Sequence, residues 1–366
     1  MMAAKYRVAI IGTGRMGGFI EDELGPGGYW KPYSHLAAYQ YIPETEVIAV
    51  ANRGAERLKR YSERFGITNT YTDYRQMIEK EKPDIVSVTT PSFARAQPII
   101  FAAEHGVKGI YAEKGLCASL AEADRIVSAV KNNYVAFNWG ALRRHNAGYK
   151  HLRAAIARGD IGEPRFVSMY TYTDLIKHHP HTLDTAGMLL GDPTPEWVEG
   201  HLVEDGDFLP PNARRPNPKY DAANNRYVPA AGQEIADPMV GFYRVGYKGG
   251  AEAHFIPMSG DWEIDVRGSE GRAIAWGTDQ IFKVLRFAGK GKEEQEITYR
   301  TSGDSATVNT VCDIIREIET GDRTAGNIDI TMLSVEAQFG LAHSHLQGGK
   351  RVFLPVADRT LYIPGG

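Results

Sequence analysis

The stretch Tyr6-Arg7-Val8-Ala9-Ile10-Ile11-Gly12-Thr13-Gly14-Arg15-Met16-Gly17-Gly18 near the start of the chain leaves few folds open. Val8 to Ile11 is an apolar, β-branched run with the length of a buried parallel strand, and it stops at glycine. Strand, tight turn and helix is the reading. Gly12 lets the chain turn and Gly14 lets backbone N–H groups approach a pyrophosphate. The N-terminus of the following helix sets its partial positive charge toward that anion. Gly17 stands where the third glycine of G-x-G-x-x-G belongs, packing helix closely on strand. Arg15 and Met16, inside the same loop, are candidate cofactor contacts. A glycine-rich turn in another α/β protein would show the same letters, so the rest of the chain has to decide.

The next hundred residues alternate strand and helix. Val47–Ala51 reads as the second strand, and the residues at its end should meet the adenosine ribose. Asn52-Arg53 stand there instead of an acidic residue. That leans toward NADP, whose extra phosphate Arg53 could pair, although an arginine can also stack on adenine and leave NAD acceptable. Ala55–Phe65 and Tyr74–Glu81 are amphipathic helices. Asp84 to Pro91 is a buried strand ending in Thr90-Pro91, and Gly109 to Gly115 is another with Glu113 and Lys114 at its tip. This alternation is that of a doubly wound parallel sheet, which takes its ligands outside the carboxyl ends of the strands. Between the glycine loop and Val47, the stretch Gly25 to Tyr33 forms a loop rich in glycine, proline and aromatics. Tyr33 and its neighbours could line a sugar site or pack on the adjoining domain.

With 366 residues there is room for two domains, and a net charge of −3 with 24% charged residues gives no reason to expect nucleic acid. The implied partner is a small molecule. Cys117 and Cys312 form no metal or redox spacing, and Cys117 reads as a small buried residue. No apolar run is long enough to span a bilayer and no signal-peptide layout is visible. The expectation is a cytoplasmic protein without membrane contact.

The glycine loop, Thr90-Pro91, Glu113-Lys114-Gly115 and Phe137-Asn138 together resemble the glucose-fructose oxidoreductase / inositol dehydrogenase family, Gfo/Idh/MocA, over nearly the whole chain. The resemblance implies a Rossmann domain over 1–138, an α+β domain over 139–366 with a large, mostly antiparallel open sheet, and NAD or NADP as cofactor. It carries Thr90, Pro91, Glu113, Lys114 and Asn138 over as cofactor contacts. Glu-Lys is usually followed by proline in the family, where this chain has Gly115. Ser92 and Arg95 stand where many members have asparagine and histidine.

In the second half, Arg143 and Arg144 sit in a basic segment resembling the family's crossing helix, and Arg165–Tyr172 alternates as a strand. Then comes Asp174-Leu175-Ile176-Lys177-His178-His179-Pro180-His181-Thr182-Leu183-Asp184. Pro180 suits a first helical position, which puts His181 in the first turn of a helix running to Leu190. There the helix dipole disfavours an imidazolium and keeps His181 able to accept a proton. His181-Thr182-Leu183-Asp184 matches the family's catalytic His-x-x-Asp. The aspartate that often stands four residues before that histidine is Lys177 here. Residues 204–238 read as a long aperiodic arm, with Arg214, Arg215, Lys219 and Arg226 as possible anion contacts. Later strands, with helices at Ala306–Glu319 and Met332–Gln347, complete the sheet. Its flat face suggests pairing of subunits into a homodimer or homotetramer.

The resulting expectation is an oxidoreductase acting on a ring hydroxyl of a sugar, glycoside or cyclitol. Lys114 donates to the developing alkoxide, with its pKa lowered beside an oxidised nicotinamide, and His181 is the base. Lys177 assists proton transfer or binds an acidic part of the substrate. Arg144, His178 and Tyr33 join in holding the carbohydrate. No metal is expected. A redox-neutral glycoside hydrolase, which oxidises, eliminates, hydrates and reduces again, is the alternative reading. A non-catalytic sugar-sensing regulator is the third.

Overall fold

The computed structural model describes residues 6–24, 31–204, 216–258, 262–288, 291–296 and 305–365. The chain divides into two compact units, each with its own large sheet. In the first unit, β1 (Tyr6–Ile11), β2 (Thr45–Ala51), β3 (Thr70–Tyr71), β4 (Ile85–Val88), β5 (Gly109–Ala112) and β6 (Ala136–Trp139) form a sheet in the order β3-β2-β1-β4-β5-β6. Every pairing in it is parallel. Val8, Ile10, Ile85, Val86 and Ile110 are fully buried, as strands covered on both faces require. The strand order reverses between β1 and β4, and the loops leaving these two strands flank the crevice where such sheets take ligands.

The helix Ala306–Thr320 also belongs to this unit, although the sequence reading placed it with the second half. Val308, Val311, Ile314 and Ile315 bury one face of it in the first core. Polar ties secure it as well: Asn309 Nδ2 donates to the His145 carbonyl at 3.1 Å, and the hydroxyl of Thr324, just past the helix, donates to the Phe137 carbonyl. A segment that returns to an earlier domain carries no compositional mark, so only its packing reveals it.

The second unit contains β7 (Pro164–Tyr170), β8 (Pro195–Leu202), β9 (Lys219–Asp221), β10 (Arg226–Val228), β11 (Val240–Tyr247), β12 (Glu252–Ile256), β13 (Glu263–Gly268), β14 (Gly271–Trp276), β15 (Ile281–Ala288), β16 (Gly291–Glu296) and β17 (Val352–Phe353). Nine of them make a sheet in the order β16-β15-β14-β13-β7-β12-β11-β8-β17. Its pairings are antiparallel except for β7 with β12. β8 and β16 were not visible in the sequence. Pro195 and Gly200 interrupt the first, and the second is a run of glycine and charge. The stretch read as an aperiodic arm contains the hairpin β9–β10, whose three-residue strands are too short to show a period. Lys219 and Arg226 stand exposed on it, whereas Arg214 and Arg215 lie outside the described residues. Among the described residues no helix is long and apolar enough to cross a membrane.

Candidate active site

Strand register gathers the predicted residues of the first unit. Ile11 pairs with Ala51 and with Val88, and Val88 pairs with Ala112. Gly12, Asn52, Thr89 and Glu113 are therefore each the first residue past the last rung, and their loops leave the same edge. Asn138 is different. It pairs with Tyr111, one rung inside the sheet, and is fully buried. Its Nδ2 donates to Asp313 Oδ2 at 3.1 Å and its Oδ1 accepts from the Trp139 amide at 3.0 Å. Asn138, expected as a cofactor contact, here ties β6 to the helix Ala306–Thr320.

The glycine loop has the geometry its spacing implied. Gly12 adopts φ +105°, and a Cβ there would lie 2.6 Å from Thr89 Oγ1. A Cβ on Gly17 would press into the Gly12 carbonyl, so the turn closes only around hydrogen atoms. At Gly14 a Cβ would meet nothing within 4 Å, so the backbone borders open space where a pyrophosphate can approach. The residues fit a dinucleotide. Asn52 Nδ2 donates to Thr13 Oγ1 at 2.8 Å and steadies the loop, while Arg53 is exposed beyond it. Arg15, also exposed, pairs with Glu23 at 2.6 Å, and Met16 is partly covered. Thr90 Oγ1 donates to the Ala94 carbonyl at 3.1 Å, and Pro91 is exposed.

The turn that carries Lys114 is built on buried polar groups. Lys114 Nζ lies 4.0 Å from Glu113 Oε2, with 15% of its side chain exposed. Glu113 Oε1 is 3.1 Å from His35 Nε2, His35 Nδ1 is 2.9 Å from Ser87 Oγ, and Ser87 Oγ is 2.9 Å from Tyr39 OH. An ionised carboxylate only accepts, so His35 Nε2–H donates to Glu113; with a neutral imidazole, Nδ1 then accepts from the Ser87 hydroxyl and Ser87 accepts from Tyr39 O–H. Burial pulls the Glu113 pKa upward, but the His35 hydrogen bond and the charges of Lys114 and Arg95 outweigh it and hold the carboxyl below its usual range. His35 also stacks on Tyr111 with ring centres 3.9 Å apart. His35, Ser87 and Tyr39 escaped the sequence reading because 78 residues separate His35 from Glu113. The buried Arg95 donates to the carbonyls of Thr90 and Gly115.

In the second unit the basic cluster separates into distinct environments. The helix Pro180–Leu189 begins at the proline, with His181 in its first turn as the spacing predicted. His179 is 1% exposed, its Nδ1 lies 2.8 Å from Thr173 Oγ1, and its Nε2 meets the Tyr243 hydroxyl. Burial pushes its pKa down to about 3, which makes it a neutral structural group. His178 is half-exposed, and its Nδ1 donates to Asp174 Oδ1 at 2.7 Å, leaving Nε2 as the ring acceptor. The sequence reading sought a carboxylate four residues before His181 and found Lys177. The same spacing sets Asp174 four residues before His178. Asp237, 60 residues beyond Lys177, accepts the Ile176 and Lys177 amides at 2.8 and 2.9 Å and holds that segment.

Two expected carbohydrate contacts, Arg144 and Tyr33, belong to the first unit. Arg144 is 4% exposed within the turn Leu142–His145 of the first unit. Tyr33 packs on the first core, its amide donating to Glu21 Oε1 at 2.6 Å and its carbonyl accepting from Thr307 Oγ1 at 2.8 Å. Residues 25–30, the rest of that aromatic loop, lie outside the described residues.

A family model described as an oxidoreductase family with an NAD-binding Rossmann fold matches residues 6–140. Those residues, the Rossmann unit of the chain, match the Gfo/Idh/MocA family. This unit takes NAD or NADP. The chain is 27% identical to myo-inositol 2-dehydrogenase of Thermotoga maritima over 158 residues, 43% of this chain and 42% of the relative. It is 27% identical to the NAD(+)-dependent scyllo-inositol 2-dehydrogenase of Bacillus subtilis over 204 residues, 52% and 55% of the respective chains. The chain therefore spans about half the length of the curated relatives it matches. A crystal structure of an oxidoreductase domain protein from Kribbella flavida superposes over 96% of this chain and all of its own, with a TM-score of 0.76 at 16% identity, which shows that the two share a fold.

Proposed function

We propose that this chain is an NAD(P)-dependent dehydrogenase that oxidises a ring hydroxyl of a sugar or cyclitol, or reduces the corresponding ketone. The observation that carries the reading is Lys114, set beside a buried, ionised Glu113 on the sheet edge from which the glycine loop also departs. When bound, the nicotinamide supplies the hydride acceptor or donor. Lys114 donates a hydrogen bond to the substrate hydroxyl oxygen and stabilises the charge that develops there. Glu113 holds the ammonium in place. A histidine of the cluster takes the hydroxyl proton, and geometry favours His178 over the expected His181, because Asp174 orients its ring and fixes its tautomer. His181 then serves as a polar contact at the helix start, and Lys177 as a cation for an acidic substituent.

The two relatives named above act on inositols, so cyclitols are the first compounds to try, followed by neutral and acidic sugars and their aryl glycosides. The test is the near-ultraviolet absorbance of reduced nicotinamide with purified protein and either cofactor, scoring aglycone release in the same wells. Stoichiometric growth of reduced cofactor is expected. Aglycone release without net reduction would replace this reading with the glycosidase. No turnover of any compound, with sugar binding retained, would replace it with the regulator.

A further inference from the structure

Arg95 is 4% exposed at the head of the helix Ala96–Glu104. Removing a guanidinium from water is costly unless its donors find partners; here Nη1 and Nη2 find two backbone carbonyls, those of Gly115 and Thr90, while the buried Nε has none among the described residues. These carbonyls belong to different loops leaving the paired strands β4 and β5. One follows the last strand residues before Pro91, and the other comes directly after Lys114. Gly115 gives the backbone behind Lys114 the greatest conformational freedom any residue allows. A planar fork with several fixed donors can remove that freedom by spanning both loops at once, whereas an ammonium is a point donor. The charge of Glu113, which lies 4.0 Å from Lys114, also favours the cation at Arg95, against the burial that disfavours it.

We propose that Arg95 is a positioning residue for Lys114: by bridging the Thr90 and Gly115 carbonyls it locks the turn Glu113-Lys114-Gly115 to the loop Thr90-Pro91, so that the two move as one body. The inference deepens the dehydrogenase reading and rests on it for the role of Lys114. Arg95→Met keeps the length of the side chain and removes the donors, and Arg95→Lys keeps the charge but not the fork.

In the cofactor-free protein, hydrogen exchange of peptides covering 89–95 and 113–117 should speed up together by about fivefold or more in Arg95→Met, with Arg95→Lys in between. In the loaded enzyme kcat should fall about 100-fold, as misplacement by roughly 1 Å costs, while the substrate KM stays within about threefold. Restricting the turn in a second way, by Gly115→Pro in the Arg95→Met background, should recover about tenfold of kcat. Exchange that rises in only one loop or in neither overturns the bridge, and so does kcat in Arg95→Met within about twofold of the parent. If Arg95→Met does not fold, Arg95→Lys decides by the same two readouts. Absence of turnover in the parent protein would count against the dehydrogenase reading alone, because the exchange experiment needs no substrate.

Discussion

The Lys114 turn and the stretch Asp174–Asp184 carry the same kinds of residue and are assembled in opposite ways. Around Lys114 the polar groups come from distant positions, His35, Ser87, Arg95 and Glu113, and parallel-strand register brings them together in a buried frame. In the second stretch the polar groups are neighbours in sequence, and folding separates them. His178 is half-exposed on Asp174, while His179, the very next residue, is buried between Thr173 and Tyr243. Density of functional residue types in a sequence is thus a poor guide to a site. What counts is which of them share an edge and which of them water can still reach.

The largest effect should separate the two regions directly. Lys114→Ala is expected to lower kcat by about three orders of magnitude, since it removes both the alkoxide donor and the partner of Glu113. In the second region, His178→Asn should cost about two orders of magnitude and His181→Asn about one, with thermal stability nearly unchanged in both. Steady-state kinetics on the best substrate checks this order, and a greater loss at His181 than at His178 would return the base to the histidine that sequence spacing selects.

The next effect should appear in stability and not in the chemical step. His179→Asn leaves Tyr243 and Thr173 without their shared partner, at a cost of about 1–3 kcal/mol in urea unfolding at neutral pH. Because its folded pKa is depressed to about 3 from an ordinary 6.5, the unfolded chain binds the proton first. His179 therefore destabilises the native state progressively as pH falls from about 6.5 toward 3, and contributes no such loss above that window. The variant's stability should accordingly fall less steeply than the parent's across that window. Parallel curves would show that His179 is not the buried neutral group described above.

The smallest effect concerns the cofactor alone. Arg53→Ala should raise the KM for NADP about five- to tenfold and that for NAD by less than about twofold, since an exposed arginine past β2 gains more from the 2′-phosphate than from adenine. Equal changes for both cofactors would assign Arg53 to adenine stacking.

Local patterns that need only adjacent residues were legible in the chain itself. Val8–Ile11 followed by glycines at 12, 14 and 17 specifies strand, turn and phosphate-facing helix, because backbone sterics decide each step within a few bonds. Pro180 likewise marked the helix that begins there. Long-range pairings were not legible. The register that sets Asn138 one rung inside the sheet, beside Asp313, cannot be read from Phe137-Asn138 itself. The burial of Arg144 and the return of the helix Ala306–Thr320 to the first unit carry no compositional sign. His35 meets Glu113, Arg95 meets Gly115 and Asp237 meets Lys177 only after strands have been set side by side. The physical reason is the range of the forces involved. Dihedral preference and hydrophobic period act over one or two turns of chain, whereas the satisfaction of buried charge is decided by whichever residues tertiary packing brings within about 3 Å of each other.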